Sequence, residues 1–306
     1  MPGQLPVAGV QAAPRPIGAG LAPFAADVAR HAAAGARLVV YPELHLFGAD
    51  HLPEGERNAA LDASAVRLDG ELVRALGAIA ADAGVWLVPG SVCERGPDGE
   101  LFNTALAFGP DGALAASYRK IFPWRPFEPY VPGDRFVVFD LDGSTVGLDI
   151  CYDAWFPEVS RHLAWLGAEV IVNVVKTTTP DREQEVVLAR ANSIANQVFT
   201  VSVNTAGPVG RGRSIVVDPE GAVLAESAGD EETVLAPALD LDQVAHVREH
   251  GTAGVNRMWS QFRPEDAAIP LPLYAGRIDP RDWAVRSRAV QTRAIPSTTS
   301  SRQPLL

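Results

Sequence analysis

The chain has 306 residues, 47% of them hydrophobic and 21% charged, with a formal net charge of -11 from 26 Lys plus Arg against 37 Asp plus Glu. That composition and length support one large globular core. The acidic balance, with no dense basic run, argues against nucleic acid as a partner. The two cysteines, Cys93 and Cys151, give no repeated pair spacing for a zinc site. The N-terminus lacks a basic then apolar leader, and no apolar run approaches the ~20 residues that span a bilayer. A soluble cytoplasmic protein with no membrane partner is therefore expected.

In chain order, short runs rich in Val, Ile and Leu at 7–10, 38–41, 85–89, 104–108, 144–150, 169–175, 198–203 and 214–217 read as strands. Between them 22–34, 70–83, 157–166 and 181–196 carry helical spacing, the last with Asp181 as its expected N-cap. Strand and helix alternate, so the fold class is α/β. One domain over 1–288 is expected. It is followed by a tail, 289–306, rich in Ser, Thr and Pro, that is flexible or packs on a neighbouring subunit.

The chain also repeats itself loosely. Residues 35–43 resemble 167–175, 108–115 recur as 217–224 around a Pro-Asp/Glu-Gly turn, and 7–10 correspond to 146–150. Two similar halves predict two mixed sheets packed face to face with helices outside, a four-layer αββα sandwich.

Three polar residues stand at strand ends, where an α/β sheet delivers side chains to a crevice: Glu43, Lys120 and Cys151. Cys151 falls on a strand-to-helix turn that suits an exposed nucleophile, although a free Cys is by itself more often a buried apolar residue. Glu43 ends the run Leu38-Val39-Val40-Tyr41-Pro42, and a carboxylate there is costly unless paired or used. Lys120 ends the strand begun at Ala115 and, taken alone, reads equally well as a solvated charge. Six histidines are present. None lies in a strand-end motif, and His45, two residues beyond Glu43, comes nearest, so a Cys-His mechanism is disfavoured. Cys93 is expected to pack as a small apolar residue.

Taken together, Tyr41-Pro42-Glu43-Leu44, Tyr118-Arg119-Lys120 and Gly147-Leu148-Asp149-Ile150-Cys151-Tyr152-Asp153 with Phe156-Pro157-Glu158 resemble, in order, the Glu, Lys and nucleophile motifs of the nitrilase (carbon-nitrogen hydrolase) superfamily. Asn103-Thr104-Ala105, Pro132-Gly133-Asp134, Asn204 with Gly207, and Gly212-Arg213-Ser214 match secondary elements, so the resemblance runs from about Val7 to Leu239. It implies a catalytic triad of Glu43, Lys120 and Cys151, and Glu128 as a second Glu holding the Lys and positioning substrate. It also implies a backbone N–H at Tyr152 in the oxyanion hole, with no metal or other cofactor. Cys151-Tyr152-Asp153 looks like the amidase and carbamoylase branches, not the Cys-Trp-Glu of true nitrilases.

The expected activity is cysteine-dependent hydrolysis of a small linear amide. The alternatives are an N-carbamoyl substrate, a nitrile, amide-forming acyl transfer, or a catalytically weak metabolite-binding relative. Phe122, Trp124, Phe127, Trp155 and Lys176 are the expected pocket residues, and Arg125, Arg182 and Arg211 are the cations available for a substrate carboxylate. A homodimer or higher homo-oligomer through helices 157–166 and 181–196 is expected.

Overall fold

The structure is a computed structural model that describes residues 3–278. Its elements run β1 (Gln4–Gln11), α1 (Ala22–Ala33), β2 (Leu38–Val40), α2 (Glu54–Ala63), α3 (Glu71–Ala83), β3 (Trp86–Val88), β4 (Ser91–Arg95), β5 (Leu101–Phe108), β6 (Leu114–Arg119), β7 (Val137–Leu141) and β8 (Ser144–Ile150). Then come α4 (Pro157–Trp165), β9 (Val170–Val175), α5 (Arg182–Asn196), β10 (Phe199–Asn204), β11 (Ile215–Val217), β12 (Val223–Glu226), β13 (Thr233–Leu235), β14 (Ala238–Asp240) and α6 (Asp242–His250). The proposed tail 289–306 and its boundary at 288 lie outside the described residues. Among the described residues no helix is long and apolar enough to cross a membrane.

Two mixed sheets carry the fold. One has the order β13-β1-β2-β3-β5-β4, with β14 also on β1 and β6 also on β5; the other has the order β12-β11-β10-β9-β8-β7. The repeat expected from sequence is present strand by strand. Val7 pairs with Leu38 in parallel as Val146 pairs with Val170, and Leu38 pairs with Trp86 as Val170 pairs with Phe199. Even the irregularity recurs: the register shifts between Ala107 and Phe108 in one hairpin and between Val216 and Val217 in the other. Gly35 and Gly167, at φ 96° and 102°, lie just past the helices that lead into β2 and β9. A side chain with a Cβ resists that left-handed region, so glycine is the natural residue at both helix ends.

The central strands β2, β9 and β10 are mostly apolar and wholly buried because both of their faces are covered. In β2, Leu38 and Val40 enter the core between the sheets, whereas Val39 packs with α1 and α3 residues such as Phe24, Val28 and Leu76. In β9, Val170, Val172 and Val174 join the inter-sheet core, and Ile171 packs with Val159 and Leu163 of α4. The layers are therefore helices, sheet, sheet, helices, as the repeat predicts. Two helices escaped the sequence reading for a physical reason. α2 buries no residue and α6 buries only Val244 and Val247, so neither carries the apolar stripe by which a helix is recognised.

Such packing leaves polar side chains one place to meet, the strand ends. Gly90 illustrates how tightly that edge is built. It sits at φ 91°, and a Cβ there would lie 1.9 Å from the Pro42 carbonyl oxygen, one residue before Glu43. The substitution Gly90→Ala is expected to cost roughly 1–3 kcal/mol from the backbone conformation, with the clash in addition. A fall in the urea unfolding midpoint measures it.

Candidate active site

Three segments converge at one end of the sandwich. Lys120 follows β6 directly and is fully buried. An ammonium out of water must be enclosed by acceptors. Its Nζ donates to Glu43 Oε1 at 3.0 Å and to both oxygens of Glu128, at 2.7 and 3.0 Å. Glu43, beyond β2, also accepts from Asn103 Nδ2 at 2.7 Å. Glu128 is held from its other side by the Trp124 backbone N–H at 3.0 Å.

Cys151 is the first residue after β8, at φ 49° on the short 3-10 turn Cys151–Trp155, and is half-buried. The elbow is fixed from below by Asp153, which accepts from Tyr118 Oη at 2.8 Å, Phe122 N at 2.8 Å and Ile150 N at 3.1 Å. The Asn192 side chain of α5 donates to the Ala154 carbonyl at 3.0 Å, tying that helix to the same turn. The left-handed conformation turns the chain sharply where the strand gives way to the helix.

The charges set the protonation states. Burial opposes the charge on Lys120, but Glu43, with Cys151 and Glu128 beside it, outweighs that cost and holds the ammonium well above its usual range. Burial pushes Glu128 up against the pull of Lys120. Burial and the neighbouring Glu43 push the Cys151 thiol well above its ordinary value, and Lys120 offsets only part of this. The resting group is therefore a thiol. Asp153 is raised by burial to about 6, against the lowering effects of Lys120 and of its hydrogen-bond donors.

A narrow cavity opens on this cluster, lined by Cys151, Tyr152, Trp124, Glu128, residues 176–179, Asp181 and Glu185. The structure thus brings together Glu43, Lys120, Glu128 and Cys151, with Tyr152, Trp124 and Lys176 at the cavity wall. Three of the expected pocket aromatics do not line it. Phe122 stacks on Phe156 at 3.7 Å and packs beside α4. Phe127 is 61% exposed and leans on Trp124. Trp155 turns its indole N–H toward Glu185 Oε1 at 3.4 Å. Asp181 precedes α5 but makes no N-cap hydrogen bond; its carboxylate accepts instead from Thr179 Oγ1.

Sequence reading missed a second layer behind the thiol. Cys151 Sγ lies 3.8 Å from Thr177 Oγ1, whose hydroxyl donates to Glu185 Oε2 at 2.7 Å. Arg182, also buried, donates to the same Glu185 oxygen at 3.0 Å and spends its other N–H groups on Ser202 Oγ and the Gly212 and Arg213 carbonyls. Thr177 N in turn donates to Asn204 Oδ1 at 2.8 Å. Glu185 and Arg182 stand three apart on α5, a spacing that in sequence reads as an ordinary helix ion pair; only its burial marks it out. Thr177 lies just past the end of β9, so its place at a strand end is the signal that could have found it.

The remaining candidates have other roles. His45 is buried, stacked on Tyr41 at 4.8 Å, and burial lowers its pKa to about 3, so it stays neutral. Cys93 lies 3.4 Å from Tyr130 Oη, and burial pushes its thiol up to about 12. A larger cavity of about 470 Å³, between α5 and the segment 252–261, contains none of the strand-end residues.

Comparison with known proteins gives the family and the fold. The family model described as "Carbon-nitrogen hydrolase" matches residues 7–249. Among curated proteins, the chain is 34% identical to omega-amidase NIT2 of Homo sapiens over 70% of this chain and 80% of that one. It is 32% identical to a formamidase of Pseudomonas syringae pv. tomato over 72% of this chain and 65% of that one. Among solved structures, Saccharomyces cerevisiae Nit3, described as a member of branch 10 of the nitrilase superfamily, superposes with a TM-score of 0.73 at 26% identity, covering 83% of this chain and 96% of that one. An amidase from Nesterenkonia sp. superposes with a TM-score of 0.67 at 29% identity, covering 81% and 95%. With strand-end residues in the family's order and the family model spanning most of its length, the chain belongs to the carbon-nitrogen hydrolase family.

Proposed function

We propose that the chain is an amidase that hydrolyses small linear amides through a thioester on Cys151, with Glu43 as general base and Lys120 facing the developing oxyanion. The observation that carries this reading is the juxtaposition at the cavity floor: a thiol on a left-handed elbow beside a buried ammonium shared by two carboxylates. The similarity to a formamidase, and to a Nesterenkonia amidase solved as a Cys-to-Ala mutant in complex with butyramide, supports short amides as the substrate class.

The protonation states favour concerted activation. Because the thiol keeps its proton at rest, attack on the amide carbonyl requires that proton to pass to Glu43 as the Sγ–C bond forms. Charge then gathers on the carbonyl oxygen, which in this reading the Lys120 ammonium and the Tyr152 N–H stabilise. Glu43 returns the proton to the leaving nitrogen, the C–N bond breaks, and ammonia or an amine departs. A water that gives a proton to Glu43 attacks the thioester, and the proton returns to Sγ as the acid leaves. Glu128 keeps Lys120 oriented throughout, and the Thr177 hydroxyl, committed to Glu185, offers the thiol a fixed acceptor. A glutamate-to-glutamine mutant of the Nesterenkonia amidase, solved with the acetamide moiety of fluoroacetamide added covalently at its active-site cysteine, supports separate roles for the carboxylate and the thiol.

The same reading includes self-association. Val187 and Ile194, 65% and 48% exposed and seven residues apart on α5, offer an apolar face for pairing with a second copy.

The decisive assay is ammonia release from formamide, propionamide, an N-carbamoyl amino acid and a nitrile, with Cys151→Ala beside the native chain. Turnover of the amides that disappears in the variant is the expected result; nitrile turnover alone, or an active Cys151→Ala, overturns the reading. Glu43→Gln is expected to lower kcat by about 10²–10⁴, measured on the best amide. A raised thiol pKa means that the thiolate fraction grows with pH. Alkylation of Cys151 by iodoacetamide should therefore rise roughly tenfold per pH unit from 7 to 9. A preformed thiolate pair would give a plateau instead.

A further inference from the structure

The cavity's charges select among amides. Lys176 is the one cationic side chain among the residues lining it, and its Nζ is bound to Asp50 Oδ2 at 2.7 Å, with the two side chains only 15% and 19% exposed. The other ionisable liners besides Cys151 are acids: Glu128, Asp181 and Glu185. The cations behind the wall are committed as well, Lys120 to Glu43 and Glu128, Arg182 to Glu185 and backbone carbonyls. Arg211 is exposed and bonds the Thr178 carbonyl through its Nε at 3.1 Å; it does not line the cavity.

We propose that the Asp50–Lys176 pair neutralises the one cation among the described residues at the cavity wall, so that the site accepts uncharged amides and rejects amides carrying a carboxylate. This rests on the amidase reading of the same cavity. Among the described lining residues, an entering carboxylate would meet Asp181, which accepts from Thr179 and is in no ion pair there, and no ammonium that is not already paired. A like charge at about 6 Å in a medium of effective dielectric about 20 corresponds to roughly 100-fold in affinity. Replacing the carboxylate by a carboxamide of the same size removes that repulsion while keeping the shape. Discrimination here comes from an unfavourable contact to the wrong ligand.

Succinamide and succinamate form such a pair. Calorimetric titration of the Cys151→Ala protein, in which no turnover intervenes, is expected to show succinamide binding roughly 100-fold more tightly than succinamate. Asp50→Asn frees the Lys176 ammonium and should raise succinamate affinity about tenfold while leaving succinamide nearly unchanged. The ratio of kcat/KM for the two compounds in the native chain gives the same comparison without relying on a variant. Succinamate binding as tightly as succinamide, or neither compound binding, overturns the proposal. Propionamide turnover in the native chain tests the amidase reading separately, so the two failures are distinguishable.

Discussion

A buried ammonium organises this end of the molecule. Lys120 has no exposed surface, so its charge persists only because Glu43 and Glu128 supply acceptors within 3.0 Å. Those partners come from distant parts of the chain, one beyond β2 and the other from the segment after β6. Removing either would take from the buried ammonium an acceptor that water does not replace, a loss on the order of 3 kcal/mol. The carboxylates are therefore fixed beside the thiol by their contacts to the ammonium, and fold stability and local chemistry depend on the same three side chains.

The sandwich explains why these groups meet at an edge. Each sheet is covered on both faces, by the other sheet and by helices, and the strand interiors admit little besides Val, Ile, Leu and Ala. Where interior strand positions are polar, as at Asn173 and Ser202, the side chains satisfy one another: Ser202 Oγ donates to Asn173 Oδ1 at 2.9 Å. At strand ends the chain turns, and side chains of unrelated segments can converge. The internal repeat doubles that opportunity. β2 and β9 occupy equivalent positions in the two halves, and the residues that follow them, Glu43 on one side and Thr177 on the other, both reach the cluster around Cys151.

Charge is graded across the site. Deepest lie the Lys120 cluster, one ammonium against two carboxylates, and the Thr177–Glu185–Arg182 chain, in which cation and anion cancel. Nearer the opening, the Lys176–Asp50 pair cancels itself and leaves Asp181 as an acid at the wall. Ion pairing satisfies the buried groups without solvent, and among the described residues that line the cavity it leaves no unpaired cation.

Local sequence determined the period-two and helical patterns, the glycine-ended helices, the order of the Glu, Lys and Cys motifs and the matching of the two halves. Each of these is written in neighbouring residues or in a repeat of them, and the α/β sandwich follows because strands so apolar must be covered twice. Lys120, by contrast, is indistinguishable in sequence from a surface lysine, and only its burial between two carboxylates gives it a distinct chemistry. Asn103 and Asp50 are separated from their partners by 60 and 126 residues, and Glu185 stands at ordinary helix spacing from Arg182, so no local pattern announces them. Likewise Phe122, Trp124, Phe127 and Trp155 were equivalent as aromatic neighbours of the motifs, yet only Trp124 reaches the cavity wall. Side-chain direction at a turn is set by what packs against it, and that is decided when distant segments close on one another.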